Sequence, residues 1–145
     1  MINEQMDTFD LSRFLSAQKS IYESAILELR SGRKESHWMW FIFPQLLGLG
    51  KSSTSMFYAI RGLDEARAYL SHPVLGARLL ECCRALLSID GKSASDILGY
   101  PDDMKLLSSM TLFSAVAGSH SEFRDIIWKY FAGHQDRRTR ELLNL

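Results

Sequence analysis

Cysteine is scarce: Cys82 and Cys83 are the only two, and they are neighbours. A bridge between adjacent residues staples nothing together, so no disulfide framework is encoded. In an apolar helical stretch both thiols read as small hydrophobes. Three prolines in 145 residues exclude a proline-rich or collagen-like chain. An excess of charge is also missing: 17 basic and 17 acidic side chains give a net charge of +0. Nonspecific nucleic-acid binding rests on surplus Lys and Arg, so nucleic acid is not an expected partner. No apolar run approaches the roughly 20 residues of a membrane span, so no membrane partner is expected either. The first ten residues lack the basic patch and apolar core of a signal peptide, which points to the cytoplasm. Histidine is thinly spread. His37, His72, His120 and His134 show none of the close spacings of zinc ligands, so no metal and no cofactor is expected.

What is present is ordinary globular material, 46% hydrophobic and 23% charged, sized for one domain. Every periodic segment has helical spacing. Leu11, Phe14, Leu15, Ile21, Tyr22, Ala25, Ile26 and Leu29 form one stripe, predicting a single helix from Leu11 to Arg30 with Asp10 as N-cap and Gly32 beyond its end. The run His37 to Pro44 fits a buried strand or a buried helix. With no convincing second strand to pair it, a short helix is predicted. Further helices are predicted at 54–61, 64–70 and 74–89, the last apolar around most of its girth and so expected at the centre. A capped turn at Ser93–Asp96 starts a short helix that Gly99 ends, and Pro101-Asp102-Asp103 starts a longer one. Ser119-His120-Ser121-Glu122 reads as a capping box for the next, which Gly133 closes, and Asp136 caps a final turn or two. The fold expected is all-α: one compact multi-helix domain spanning residues 1–145, with 1–9 as a flexible tail.

The stretch Gly32–Ser52, GRKESHWMWFIFPQLLGLGKS, is the most distinctive part of the chain. It closely resembles the signature of a bacterial family of unknown function, domain 1810, some of whose members carry the label calpastatin in error. Further matches fall at Tyr58-Ala59-Ile60, Glu65–Leu79, Asp102–Phe113 and Asp136–Thr139, so the resemblance spans roughly residues 10 to 143. It implies an all-helical single-domain fold. It implies no activity.

Candidate site residues come from two segments. In the first, His37, Trp38, Trp40 and Gln45 adjoin a Gly-rich loop, and an aromatic wall with a few polar groups suits a planar ligand. Each aromatic taken singly is better explained by the core. Gly48-Leu49-Gly50-Lys51-Ser52 is not a Walker loop, because the required first glycine would stand where Gln45 does. Lys51 and Ser52 remain candidates for an anion. In the second segment Lys105, Ser108 and Ser109 share one helical face. A Ser/Lys nucleophile is conceivable there, but no oxyanion-hole signature accompanies it. The expectation is that Lys105, Ser108 or Ser109 faces the same cavity as His37, Trp38 or Gln45, with an internal hydrogen-bond network as the structural alternative. Two functions are carried forward. One is a ligand-binding protein or enzyme for a small molecule, nucleotide- or ADP-ribose-like. The other is a non-catalytic protein-interaction module.

Overall fold

The computed structural model describes residues 7–145. Asp7 starts the first helix: its carboxylate accepts from the backbone N–H of Leu11 at 2.7 Å and of Ser12 at 3.0 Å. That satisfies two of the orphan donors at a helix start. Asp10, the expected cap, instead adopts φ 53°, and Leu11 holds the N-cap position. Phe9 packs against the core. So the part of the expected tail that is described, Asp7 to Phe9, is tied down; residues 1–6 lie outside the described residues.

Ten helices follow among the described residues: α1 Ser12–Gln18, α2 Tyr22–Arg30, α3 Met39–Ile42, α4 Ser53–Phe57, α5 Leu63–Ser71, α6 Leu75–Leu87, α7 Ala94–Leu98, α8 Asp102–Ser114, α9 Glu122–Phe131 and α10 Arg137–Leu142. The strand-like geometry described is one isolated parallel bridge, Leu46 to Ile60. The fold is all-α, a single compact domain. The helix predicted over 11–30 is two helices. Between them the chain turns at Gln18, whose carbonyl accepts from Ile21 N–H at 3.1 Å. The Gln18 side chain is buried and donates to the Phe41 carbonyl at 2.7 Å and to Tyr69 Oη at 3.1 Å.

Several ends follow the local chemistry. Gly32, at φ 78°, closes α2: its N–H reaches Leu29 O and the N–H of Arg33 reaches Glu28 O, both at 3.0 Å. This double bond is the Schellman arrangement, which favours glycine at the left-handed position. Ser93 and Asp96 form a reciprocal capping box on α7, and the Asp136 carboxylate caps α10 by accepting from Thr139 N–H at 2.9 Å. The capping box expected at Ser119 and Glu122 does not form. Ser121 is the N-cap of α9, and its hydroxyl donates to Asp125 instead.

The centre is shared differently from the sequence expectation. Helix α6 packs against α2, α5 and α9 but keeps Ala77 and Arg84 exposed. Helix α8 contacts α5, α7, α9 and α10, and every residue from Leu106 to Phe113 is buried. Eight of its thirteen residues are buried, as in α6, so the two helices share the centre, and its small polar residues explain why its apolar stripe is indistinct. Ser108 Oγ donates to Met104 O at 3.2 Å, and Thr111 Oγ1 accepts from Asp136 N–H at 2.8 Å. Ser109 Oγ is buried without a partner. Cys82 and Cys83 are free and fully buried. Burial pushes the Cys82 thiol up to about 12 and Cys83 well above its ordinary value, so both are inert hydrophobes at neutral pH.

Candidate functional site

The Gly32–Ser52 stretch is anchored by one carboxylate. Glu28 on α2 accepts from the backbone N–H of Glu35 at 2.8 Å and of Ser36 at 2.9 Å, from Ser36 Oγ at 2.6 Å and from Trp38 Nε1 at 2.9 Å. This wraps residues 35–38 around a single side chain and sets where the four-residue helix α3 begins. Trp38 then points into the core, fully buried and 6.3 Å from the Phe43 ring. Two residues on, Trp40 is only half-buried and looks outward. Burial alone would raise the Glu28 carboxyl, but the hydrogen bonds from Ser36, Glu35 and Trp38 outweigh it and bring it down to about 2. A carboxylate depressed in the folded state stabilises the fold above its ordinary value of 4.5 and loses that contribution as pH falls toward 2. Glu28→Gln should therefore be markedly less stable than wild type at neutral pH, with the gap closing between those two values. Urea melts at stepped pH check this, and a constant gap would contradict it.

A second ionic link ties the stretch to the start of α8. Asp102 sits between two lysines: Lys34 Nζ is 3.0 Å from one carboxylate oxygen and Lys105 Nζ 3.3 Å from the other. Each ammonium also lies over an indole. Lys34 is 5.1 Å from the Trp38 ring centre, and Lys105 is 4.7 Å from that of Trp40. One carboxylate shared by two ammonium groups leaves a net positive charge held against the aromatic surface.

Beside this cluster lies a cavity of about 420 Å³. Its walls are Trp40 and Gln45 from the α3 segment, Leu49 to Ser52 and Ser55 from the Gly-rich loop, Pro101, Met104, Lys105 and Ser108 from α8, and Asp136 and Arg138 from the start of α10. The Gly-rich loop is held tightly. Ser55 N–H donates to Ser52 Oγ at 3.1 Å, capping α4, and a Cβ on Gly50 would stand 2.5 Å from Ser55 Oγ. Gln45 uses its backbone carbonyl to accept from Ile60 N–H at 2.8 Å, leaving the side-chain amide on the cavity wall. Charge in the cavity is lopsided. Lys51, Lys105 and Arg138 are cationic, Lys105 being paired with Asp102 and Arg138 lying 3.8 Å from Glu141, while the Asp136 carboxylate is engaged with Thr139. Such a cavity suits an anion with an apolar or planar part.

The structure thus brings together six of the nine candidates: Trp40, Gln45, Lys51, Ser52, Lys105 and Ser108. Three lie elsewhere. His37 is exposed and does not line the cavity. Trp38 is core, its indole N–H spent on Glu28. Ser109 is fully buried one residue past the cavity-facing Ser108. The Ser108 hydroxyl donates back into its own helix, a packing role rather than that of a poised nucleophile. No group of three or more His, Cys, Asp or Glu among the described residues could hold a metal ion. Sequence reasoning missed Lys34, Asp102, Asp136 and Arg138. In the sequence Asp102 reads as helix-start chemistry, and Asp136 as the cap of a final turn or two. The available signal was that both segments belong to the distinctive motifs.

The family model described as a protein of unknown function, DUF1810, matches residues 8–143. The chain belongs to this family. The match takes in both cavity-forming segments and the start of α10. A solved structure, that of a conserved hypothetical protein from Mycobacterium tuberculosis, is 50% identical in sequence, with a TM-score of 0.94 over 96% of this chain and 99% of that one. No curated protein matches the chain. No helix among the described residues is long and apolar enough to cross a membrane.

Proposed function

We propose that the Trp40–Lys105–Arg138 cavity binds a small anionic ligand bearing a planar ring, nucleotide- or ADP-ribose-like in chemistry. The observation that carries this reading is the convergence of three cations and one half-exposed indole, drawn from three distant parts of the chain, on a single concavity. Its volume lies in the range of small-molecule sites, and its walls mix charge with an aromatic face. A flat, purely apolar surface would have favoured the alternative of a protein-docking module. In this reading Lys105 and Arg138 hold the anionic group, Lys51 and Ser52 close over it, and Trp40 and Met104 take the ring. Gln45 supplies a neutral donor and acceptor. Phosphorylated metabolites of this kind are concentrated inside cells, so the reading takes the protein to act in the cytoplasm.

Thermal denaturation with ADP-ribose, AMP or inorganic phosphate tests it. Ligand at 100 times its Kd adds about 2.7 kcal/mol of stability, a shift of several degrees. Lys105→Met should abolish that shift while costing the free protein less than about 1 kcal/mol, since its pairing with Asp102 is partly exposed. A ligand shift that survives Lys105→Met undiminished, or no shift with any of the three, would overturn the reading. If the variant melts much lower and no ligand acts on the wild type, the cluster is an internal network instead.

A further inference from the structure

A second groove of about 520 Å³, lined by other residues of α10 and by α9, shares no wall residue with the cavity. The central feature of that groove is Trp128. It falls off the apolar stripe of α9 formed by Phe123, Ile126 and Ile127, and 68% of it is exposed. An indole left so open is uncommon, because Trp is highly buried on average. It is nevertheless held in place. A Cβ on Gly133 would stand 2.7 Å from a carbon of its six-membered ring, so one side of the ring rests on the backbone of a glycine at φ 82°. The rest of the ring is presented to solvent at a fixed angle.

Three arginines line the groove with it. Arg124 lies one turn before Trp128 on α9 and has no ion-pair partner among the described residues. Arg140 spends one donor on Gln135 Oε1 at 2.7 Å. Arg137 faces Glu141, the one carboxylate side chain lining the groove, at 3.4 Å. Most of the planar N–H forks are therefore unused, and guanidinium forks match phosphate oxygens bidentately. A fixed, open aromatic surface adds stacking for a base.

We infer that this groove is a second ligand site, separate from the Trp40 cavity, which takes a nucleoside phosphate with its base on Trp128 and its phosphate among Arg124, Arg137 and Arg140. The pairing of ring and forks selects a molecule carrying both parts. Neither adenosine nor inorganic phosphate alone can use the whole groove.

The indole N–H resonances of the full-length protein read this directly, since each of its three tryptophans gives one signal. Trp38 is buried and serves as internal control, Trp40 reports the first cavity and Trp128 the second; Trp40→Phe and Trp128→Phe assign them. On titration with AMP the Trp128 signal should move saturably, at a concentration at least tenfold below that needed with adenosine or with inorganic phosphate. The double variant Arg124→Met, Arg140→Met should raise the AMP concentration required at least tenfold while leaving the Trp38 signal in place, which shows that the fold is kept. A Trp128 signal that ignores AMP, responds equally to adenosine, or responds undiminished in the double variant would overturn the inference. So would broadening of that signal with protein concentration alone, which would make the groove a self-association surface. The Trp40 signal answers for the first cavity independently: movement of either indole without the other sustains one site and removes the other.

Discussion

Replacing Arg13 by methionine should destabilise the fold by about 3–5 kcal/mol, the cost of stranding the partner of a buried ion pair. All five N–H bonds of this guanidinium are used. Nε donates to Phe57 O at 2.8 Å, Nη1 to Phe9 O at 2.6 Å and Asp10 O at 2.8 Å, and Nη2 to Ala59 O at 2.9 Å and Glu65 Oε2 at 2.7 Å. Its side chain is 3% exposed and that of Glu65 is 0%. The other Glu65 oxygen accepts from Arg61 N–H at 2.9 Å. One side chain on α1 thus satisfies the carbonyls that end α4, the turn before α1, and the carboxylate that opens α5. Methionine fills similar space but leaves the Glu65 charge and four carbonyls without this donor. Urea unfolding of the variant should show a much lower midpoint at unchanged slope. A loss below about 1 kcal/mol would mean that water replaces the guanidinium freely. The pair Arg13→Met, Glu65→Leu should recover part of the loss, because the stranded charge is then gone.

Gly76→Ala should be nearly as damaging, at about 3 kcal/mol, and here the direction is the informative part. In an ordinary helix interior alanine is better than glycine by about 1 kcal/mol. At position 76 a Cβ would stand 2.0 Å from Leu70 O and 2.8 Å from Leu70 C. Both are backbone atoms at the end of α5 and cannot rotate away, so the α5–α6 corner must open. That corner is unusually tight. His72 Nδ1 accepts from Val74 N–H at 3.1 Å and Leu75 N–H at 3.2 Å, and Gly76 N–H reaches His72 O at 2.9 Å. Thermal unfolding of Gly76→Ala should show a melting point lowered by several degrees; a rise would mean that the close approach is relieved without cost.

These two positions mark where the sequence stops being legible. Helix existence was readable where an apolar stripe had a period near 3.6, as in 11–30, and many ends were readable because Ser93, Asp96, Asp136 and Gly32 act on their own neighbours. Arg13 was not, because its partners are main-chain carbonyls of distant loops that no side-chain pattern announces. Gly76 sits inside a helical pattern and means something only once α5 folds back on it. The same divide runs through the site. That the Gln45 and Lys105 segments share a cavity could be expected, since both carry polar groups in strongly apolar company. Which of Trp38 and Trp40 faces that cavity could not: one is the N-cap of α3 and the other its second residue, and they are distinguished by the hold of Glu28 on the Trp38 indole and of Lys105 on the Trp40 ring. Trp128 could have been found, as the one large aromatic off the stripe of its own helix.

The central claim, that the cavity between α3, α8 and α10 receives an anionic ring-bearing ligand, is tested most directly by crystallography of the protein soaked with AMP. The expected result is difference density in the cavity, with phosphate oxygens within about 3 Å of Lys105 Nζ and the Arg138 guanidinium and the base stacked against Trp40 or Met104. Density absent from this cavity at saturating AMP, or found only in the Trp128 groove, would contradict it.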